Sequence, residues 1–332
     1  MSLALKEFAS RSKALIILHR LYENGRRRRA FVAGNTVTGY GSTHRSWSLD
    51  ESIRYIDSVY EDYLRYSRLD PEAFRGQNIL EVGPGDNLGV ALKFLAKGAE
   101  RVVCLDKFYA ERDTNQETAI YMAIRQALPP EQAREFDLCV NLNNGNELNQ
   151  NRLKYIHGHG IEEADKILEQ SSFNFILSRA VIHNVYDLDR AFQVMDKLLT
   201  PGGYMLHKID FTDENMFSSR GMHPLTFLTI PERIYSLMAA DSGKPNRKLI
   251  SYYRDKMEEL GYESKILVSG ILGERELIPH KERIEIGIDY SDATLSLINE
   301  IRPRLAIPFR SFSDQDLAAT GIFLIARKPD SL

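Results

Sequence analysis

Two short apolar runs, NILEV (78–82) and RVVCLD (101–106), stand on either side of GVALKFLAKG (89–98). Runs this short and this apolar read as strands buried on both faces, while the segment between them repeats apolar residues at helical spacing and stops at Gly98. The alternation continues. Helix is predicted over 113–127, and a strand with an Asn-rich loop over 136–158. Another helix is predicted over EEADKILEQ (162–170) and a fourth strand over FNFILS (173–178). DLDRAFQVMDKLL (187–199) places Leu188, Ala191, Phe192, Met195, Leu198 and Leu199 on one helical face, with Asp187 as N-cap. A TPGG turn then leads into a fifth strand, YMLHKID (204–210). Strands alternating with helices predict a parallel α/β sheet.

The flanks read differently. Residues 3–22 form a loosely amphipathic helix with Leu5, Phe8, Ala9, Leu15 and Ile16 on one broad face, followed by the loop GNTVTGYGST. A second helix carries Ile53, Ile56, Val59, Tyr60, Tyr63 and Leu64 and stops before Pro71. Residues 1–70 are thus expected to be a helical extension on a domain of residues 71–332. Residues 212–248 break the alternation and read as an inserted cap. A helix at 249–260 and the strands SKILVSG and GIFLIARK complete seven strands, mostly parallel, with helices on both faces. The connection before the last strand is long for a plain loop and is expected to hold the helix DATLSLINEI.

Composition narrows the class. The chain has 332 residues, 43% hydrophobic and 27% charged, which is globular. It lacks a secretory pattern and any apolar run of the roughly 18–20 residues that span a bilayer. Cys104 and Cys139 lie in apolar surroundings, so a reducing, cytoplasmic setting is expected. Charge is uneven. Residues 1–29 hold eight Lys/Arg against two Glu, or +6, leaving −9 for the rest of a chain of net −3. Such a basic arm suits anionic lipid, nucleic acid or an acidic partner, or is merely a solvated helix followed by a charged turn. The acidic remainder argues against a broad nucleic-acid track.

Candidate chemistry gathers on the first strand. Glu81 ends it, and Gly83, Gly85 and Gly89 follow. In open α/β sheets, ligands bind beyond the carboxyl ends of the strands, where glycine lets a backbone approach. Asp106 ends the second strand 21 residues beyond Gly85, placed to accept both hydroxyls of a ribose. Up to this point NAD remains a candidate ligand. Three further features decide against it: an acid, Glu81, inside an apolar strand end; the Pro201–Gly203 turn before the fifth strand; and a long excursion between the last two strands.

Together these resemble class I S-adenosylmethionine-dependent methyltransferases over about residues 70–330, with their Rossmann-like sheet. The resemblance implies S-adenosyl-L-methionine as cofactor, with contacts from Glu81, Gly83, Pro84, Gly85, Asp106, Lys107, Gly158, Ile161 and Ser178. Glu81 would face the ligand's amino group. Two departures stand out: Asn87 replaces the third glycine, and HGHGIEE occupies the place where an acid often follows the third strand. MLHKIDFTDE and the HPLTFL stretch also resemble a methyltransferase subgroup associated with glycan biosynthesis, with His207, Asp210, Asp213, His223, Pro224 and Leu225 matching and Glu214 standing where a His is expected.

Methyl transfer from a sulfonium needs alignment and exclusion of water, and an alcohol acceptor must also lose a proton. His183, His207 and Asp210 are the catalytic candidates, and His223, Glu214 and Arg247 the substrate-binding ones. Tyr40 and His44, in GYGSTH, read first as part of a surface turn and second as residues that close over the cofactor. No D/N-P-P-Y/F follows the fourth strand and no Pro-Cys pair occurs, which sets aside transfer to exocyclic base nitrogens and to cytosine C5. His157–His159 is too short for a metal site, so no metal is expected. The expected activity is methyl transfer to a small-molecule acceptor, foremost a hydroxyl of a sugar or glycan precursor. The competing readings are a non-sugar metabolite as acceptor, a nucleic-acid-binding protein and a non-catalytic cofactor-binding scaffold. The basic N-terminal helix could lie on a membrane surface or join a homodimer.

Overall fold

The structure, a computed structural model, describes residues 12–39, 41–274 and 276–330. One sheet holds eight strands: β1 (Asn78–Val82), β2 (Arg101–Asp106), β3 (Leu153–His157), β4 (Phe173–Arg179), β5 (Leu199–Asp210), β6 (Glu263–Ile271), β7 (Glu276–Lys281) and β8 (Ala319–Arg327). Their order is β3-β2-β1-β4-β5-β8-β6-β7. The first five run parallel, while β8, β6 and β7 pair antiparallel. The long strand β5 takes in the TPGG turn expected to precede it.

The periodicity predicts seven strands, and β7 is the eighth. Its sequence ELIPHK holds Pro279 and is mostly solvent-facing, so no apolar alternation betrays it. An edge strand tolerates proline because one side of its backbone has no ladder to complete.

Nine helices of eight residues or more occur among the described residues: α1 (Lys13–Val32), α2 (Leu49–Ser67), α3 (Gly89–Ala96), α4 (Thr114–Ala127), α5 (Pro130–Asp137), α6 (Leu188–Leu198), α7 (Glu232–Ala239), α8 (Ile250–Glu259) and α9 (Asp292–Ile301). Helix α2 starts at a capping box: Ser48 accepts from the Glu51 amide, and the Glu51 carboxylate accepts from the Ser48 amide at 2.9 Å. Asp187 caps α6 as its position implies, accepting from the Arg190 amide at 3.1 Å. EEADKILEQ is shorter than expected, a 3-10 turn over Ile161–Lys166.

The charged turn expected after residue 22 is helix instead. Helix α1 continues through Gly25 and four arginines to Val32. An interior glycine costs a helix about 1 kcal/mol relative to alanine, and contacts around it offset this. Asn24 is buried, donating to Asp241 Oδ2 at 3.3 Å and accepting from the Asp241 amide at 2.9 Å. Leu5, Phe8 and Ala9 lie outside the described residues.

The sheet divides two cores. Leu80 and Val82 of β1 point into one, with α6, α8 and much of the 212–248 segment. Ile79, one position out of phase, points into the other with α2, α3 and α4. No helix of the described residues is long and apolar enough to cross a membrane.

Candidate active site

Beyond the carboxyl ends of β1 and β2 lies a cavity of about 300 Å³. The chain leaves β1 at Val82 and turns through Gly83 and Gly85, both with positive φ (73° and 75°). A Cβ on Gly83 would come 2.3 Å from Val181 Cγ2, and one on Gly85 would come 2.9 Å from the Gly41 carbonyl oxygen. The second contact is unexpected from the local sequence: the N-terminal extension presses its backbone onto the turn. Asp86 fastens it there, accepting from the Arg45 amide at 2.9 Å and the His44 amide at 3.3 Å while its own amide donates to Gly41. His44 is buried at this staple. Tyr40 lies outside the described residues.

Asn87, in the third-glycine position, accepts from the Gly89 amide at 2.7 Å and so serves the start of α3. Asp106 faces the cavity from the end of β2. Burial pushes its carboxyl up to about 6, against the pull of the backbone amides of Phe108, Gly85 and Lys107. Lys107 and Glu162 also line the cavity and pair at 2.9 Å, and Leu105, Phe108 and Ile161 give it an apolar stretch. Glu162 thus supplies an acid beyond the third strand, where HGHGIEE seemed to lack one.

The opposite wall follows β4 and β5: Ala180, Val181, Asn184 and Val185, then Glu214, with Ser242 and Gly243 beyond α7. Glu214 adopts a left-handed backbone (φ 47°) that few non-glycine residues accept. Its Oε1 accepts from His183 Nε2 at 2.9 Å and from Asn184 Nδ2 at 2.8 Å, and its Oε2 from Lys244 Nζ at 3.1 Å. Burial alone would raise this carboxyl. The bonds from His183 and Asn184 and the charge of Lys244 outweigh it and hold Glu214 at about 2. An anchored carboxylate therefore lines the same cavity as Asp106.

A methyltransferase-domain family profile matches residues 54–256. The chain belongs to this family. No curated protein matches the methyltransferase in sequence. Among solved structures, an S-adenosylmethionine-dependent methyltransferase from Mesorhizobium loti shares 16% identity over 82% of this chain and 100% of its own, with a TM-score of 0.40. Phosphoethanolamine N-methyltransferase 2 of Haemonchus contortus, in complex with S-adenosyl-L-methionine, shares 15% over 82% of this chain and 56% of its own, also at 0.40. An arsenic(III) S-adenosylmethionine methyltransferase from Chlamydomonas reinhardtii shares 15% over 83% and 73%, again at 0.40. The chain spans about half the length of the Haemonchus protein and of a carbon methyltransferase structure. The family's cofactor is S-adenosylmethionine, and the cavity fits it, joining a buried carboxylate, a Cβ-free turn and an apolar stretch.

Of the cofactor residues expected from sequence, Gly83, Gly85, Asp106, Lys107 and Ile161 line this cavity. Pro84 and Gly158 flank it without lining it. Glu81 points elsewhere. Strand alternation sends it to the other core, where Cys104 Sγ lies 3.4 Å from its Oε2 and burial pushes its carboxyl up to about 7. Ser178 and His207 share the face of Val82 but do not line the cavity: Ser178 Oγ bonds His207 Nδ1 at 2.8 Å in the core. Burial presses the His207 imidazole down to about 3, and its absence from the cavity lining removes it as the base.

The catalytic and substrate candidates divide likewise. Glu214 faces the cavity. His183 is 3% exposed and reaches the site only through Glu214. Asp210 holds a turn, accepting from the Thr212 amide at 2.7 Å. His223 joins the Leu297 carbonyl (3.0 Å) to the Leu225 amide (3.1 Å), a bridge between the insertion and α9. Arg247 is a buried clamp, bonded to the Phe227 and Ile230 carbonyls and stacked on Tyr235. Among the residues that sequence reasoning missed, Asn184 had a signal: it adjoins His183 at the end of β4. Arg27, Ser242 and Gly243 had none, because they reach the cavity through the packing of α1 against α7.

Proposed function

We propose that this methyltransferase moves a methyl group to a hydroxyl of a small acceptor, a sugar or glycan precursor, seated against Asn184 and Glu214. The observation that carries the reading is the Glu214 carboxylate, anchored by His183, Asn184 and Lys244 in the lining of the cavity that also holds Asp106. In this reading Asp106 accepts the ribose hydroxyls, Leu105, Phe108 and Ile161 surround the adenine, and Gly83 to Gly85 border the methionine end. When bound, S-adenosylmethionine supplies a methyl group already activated for displacement.

The chain's own part is to align and deprotonate the acceptor. Glu214 accepts a hydrogen bond from the acceptor hydroxyl, which turns an oxygen lone pair toward the cavity. As the new C–O bond forms, the hydroxyl proton becomes far more acidic than a carboxylic acid. A carboxylate held near 2 is therefore base enough to take it. His183, Asn184 and Lys244 position Glu214 and leave its free lone pairs to the acceptor.

Labelled S-adenosylmethionine incubated with fractionated extract, followed by mass spectrometry of the labelled product, tests the acceptor class. An O-methyl ether on a carbohydrate supports the proposal. Label on nitrogen, carbon or a non-carbohydrate hydroxyl overturns it.

A further inference from the structure

Helix α1 carries two kinds of surface. Its inner face holds Ile16 and Asn24 against the body of the protein, with Arg27 at the cavity. Its outer face holds Leu15, Leu18 and Tyr22, one residue per turn, and Leu18 and Tyr22 are 60% and 68% exposed. That outer stripe continues into Arg26, Arg29 and Val32.

Helix α7 runs beside α1 in the same direction. Lys13 at the start of α1 bonds Thr229 just before α7, and Asn24, three turns on, bonds Asp241 just after it. It too leaves apolar residues in solvent: Ile234, and Leu237 at 65% exposure. Two neighbouring helices thus expose six large apolar side chains, and the six Lys/Arg and one Glu of α1 give it +5. Soluble surfaces seldom gather apolar side chains this way without a partner.

We infer that the outer faces of α1 and α7 form a docking surface for an anionic lipid membrane. An apolar stripe that ends in arginines matches the layering of such a membrane, acyl chains beneath a negative headgroup surface. A second copy of the chain fits worse, since a two-fold contact through this face would set +5 against +5. Nucleic acid would use the arginines and leave the apolar stripe exposed. The same two elements carry Arg27, Ser242 and Gly243 of the cavity wall, so docking holds the active site close to the lipid surface. The inference stands apart from the acceptor's identity, because its test measures binding without turnover.

The full chain is sedimented with vesicles of phosphatidylcholine alone or mixed with phosphatidylglycerol. Binding to the mixed vesicles only, weakened by salt, is the expected result. Arg29→Gln should lower the partition about fivefold. Leu18→Asp with Leu237→Asp should abolish it, while the thermal midpoint and its rise with S-adenosylhomocysteine stay at wild-type values. Equal binding to both vesicle types, or none to either, overturns the inference. So does a dimer in sedimentation equilibrium that the leucine variants dissolve, or salt-sensitive RNA binding that they leave intact.

Discussion

The two halves of the cavity are built by different means. The cofactor half lies at the ends of adjacent parallel strands, where Gly83, Gly85 and Asp106 follow β1 and β2 within a few residues. The acceptor half is assembled across long stretches of chain: Asn184 after β4, Glu214 after β5, and Ser242 to Lys244 after α7. One half is a local consequence of strand topology. The other exists only when several loops have been fixed against each other.

The sharpest way to break that contrast is Glu214→Gln. It should lower transfer at least about 100-fold, the usual scale for a lost proton acceptor. Binding of S-adenosylhomocysteine, measured by calorimetry, should stay within a few-fold of wild type. Comparable losses in both measurements would mean that the two halves are one unit. His183→Gln should show a smaller loss of turnover, as befits a residue that positions the carboxylate without touching the acceptor.

Gly83→Ala probes the cofactor half. The substitution forces alanine into a left-handed backbone and drives its Cβ into Val181. Together these should destabilise the chain by about 2–4 kcal/mol in urea unfolding. Because Val181 belongs to the acceptor wall, Gly83→Ala paired with Val181→Ala should recover part of the loss. No recovery would show that backbone strain alone sets the cost.

This contrast also explains what was legible in the sequence. Strands β1 to β6 and β8, the capped helix α6 and the residues Gly83, Gly85 and Asp106 are encoded by local periodicity and turn chemistry. Those signals are short-range, so a single reading of the chain reaches them. Glu81 misled because strand phase decides which face a side chain takes, and Glu81 is out of phase with Val82. His207 shares the face of Val82 but is buried against Phe192, short of the cavity. Arg247 and His223 looked like substrate ligands, but Arg247 Nη1 is bonded to two carbonyls and the His223 ring to a carbonyl and an amide that sequence does not bring near. Glu214 was named only as a substrate contact, and its partners His183, Asn184 and Lys244 meet only in three dimensions.

Glu81 offers a titration that separates the two faces of β1. Its carboxyl is raised from an unfolded value near 4.5 to about 7, so the native state binds more protons between those values. Stability from this group is therefore present at low pH and lost as pH rises toward 7. Glu81→Gln removes the effect. Relative to wild type the variant should gain up to about 3 kcal/mol between about pH 4.5 and about pH 8. His207, pressed down to about 3, works in the opposite sense, destabilising the fold as pH falls below its unfolded value. The measurement must accordingly be the difference between variant and wild type across pH. A difference that does not change with pH would mean Glu81 is ionised in the fold.

The smallest effect belongs to Asn87, the residue that stands where a third glycine is usual. Its Oδ1 accepts from the Gly89 amide, one of the free donors at the start of α3. Asn87→Ala should cost about 1 kcal/mol of stability, the ordinary net worth of one such hydrogen bond, and Asn87→Gly a similar amount. Neither should change S-adenosylhomocysteine affinity by more than a few-fold, since Asn87 does not line the cavity. A large loss of affinity with stability intact would place Asn87 in the cofactor half after all, and would mean that this part of the turn moves toward the ligand when it binds.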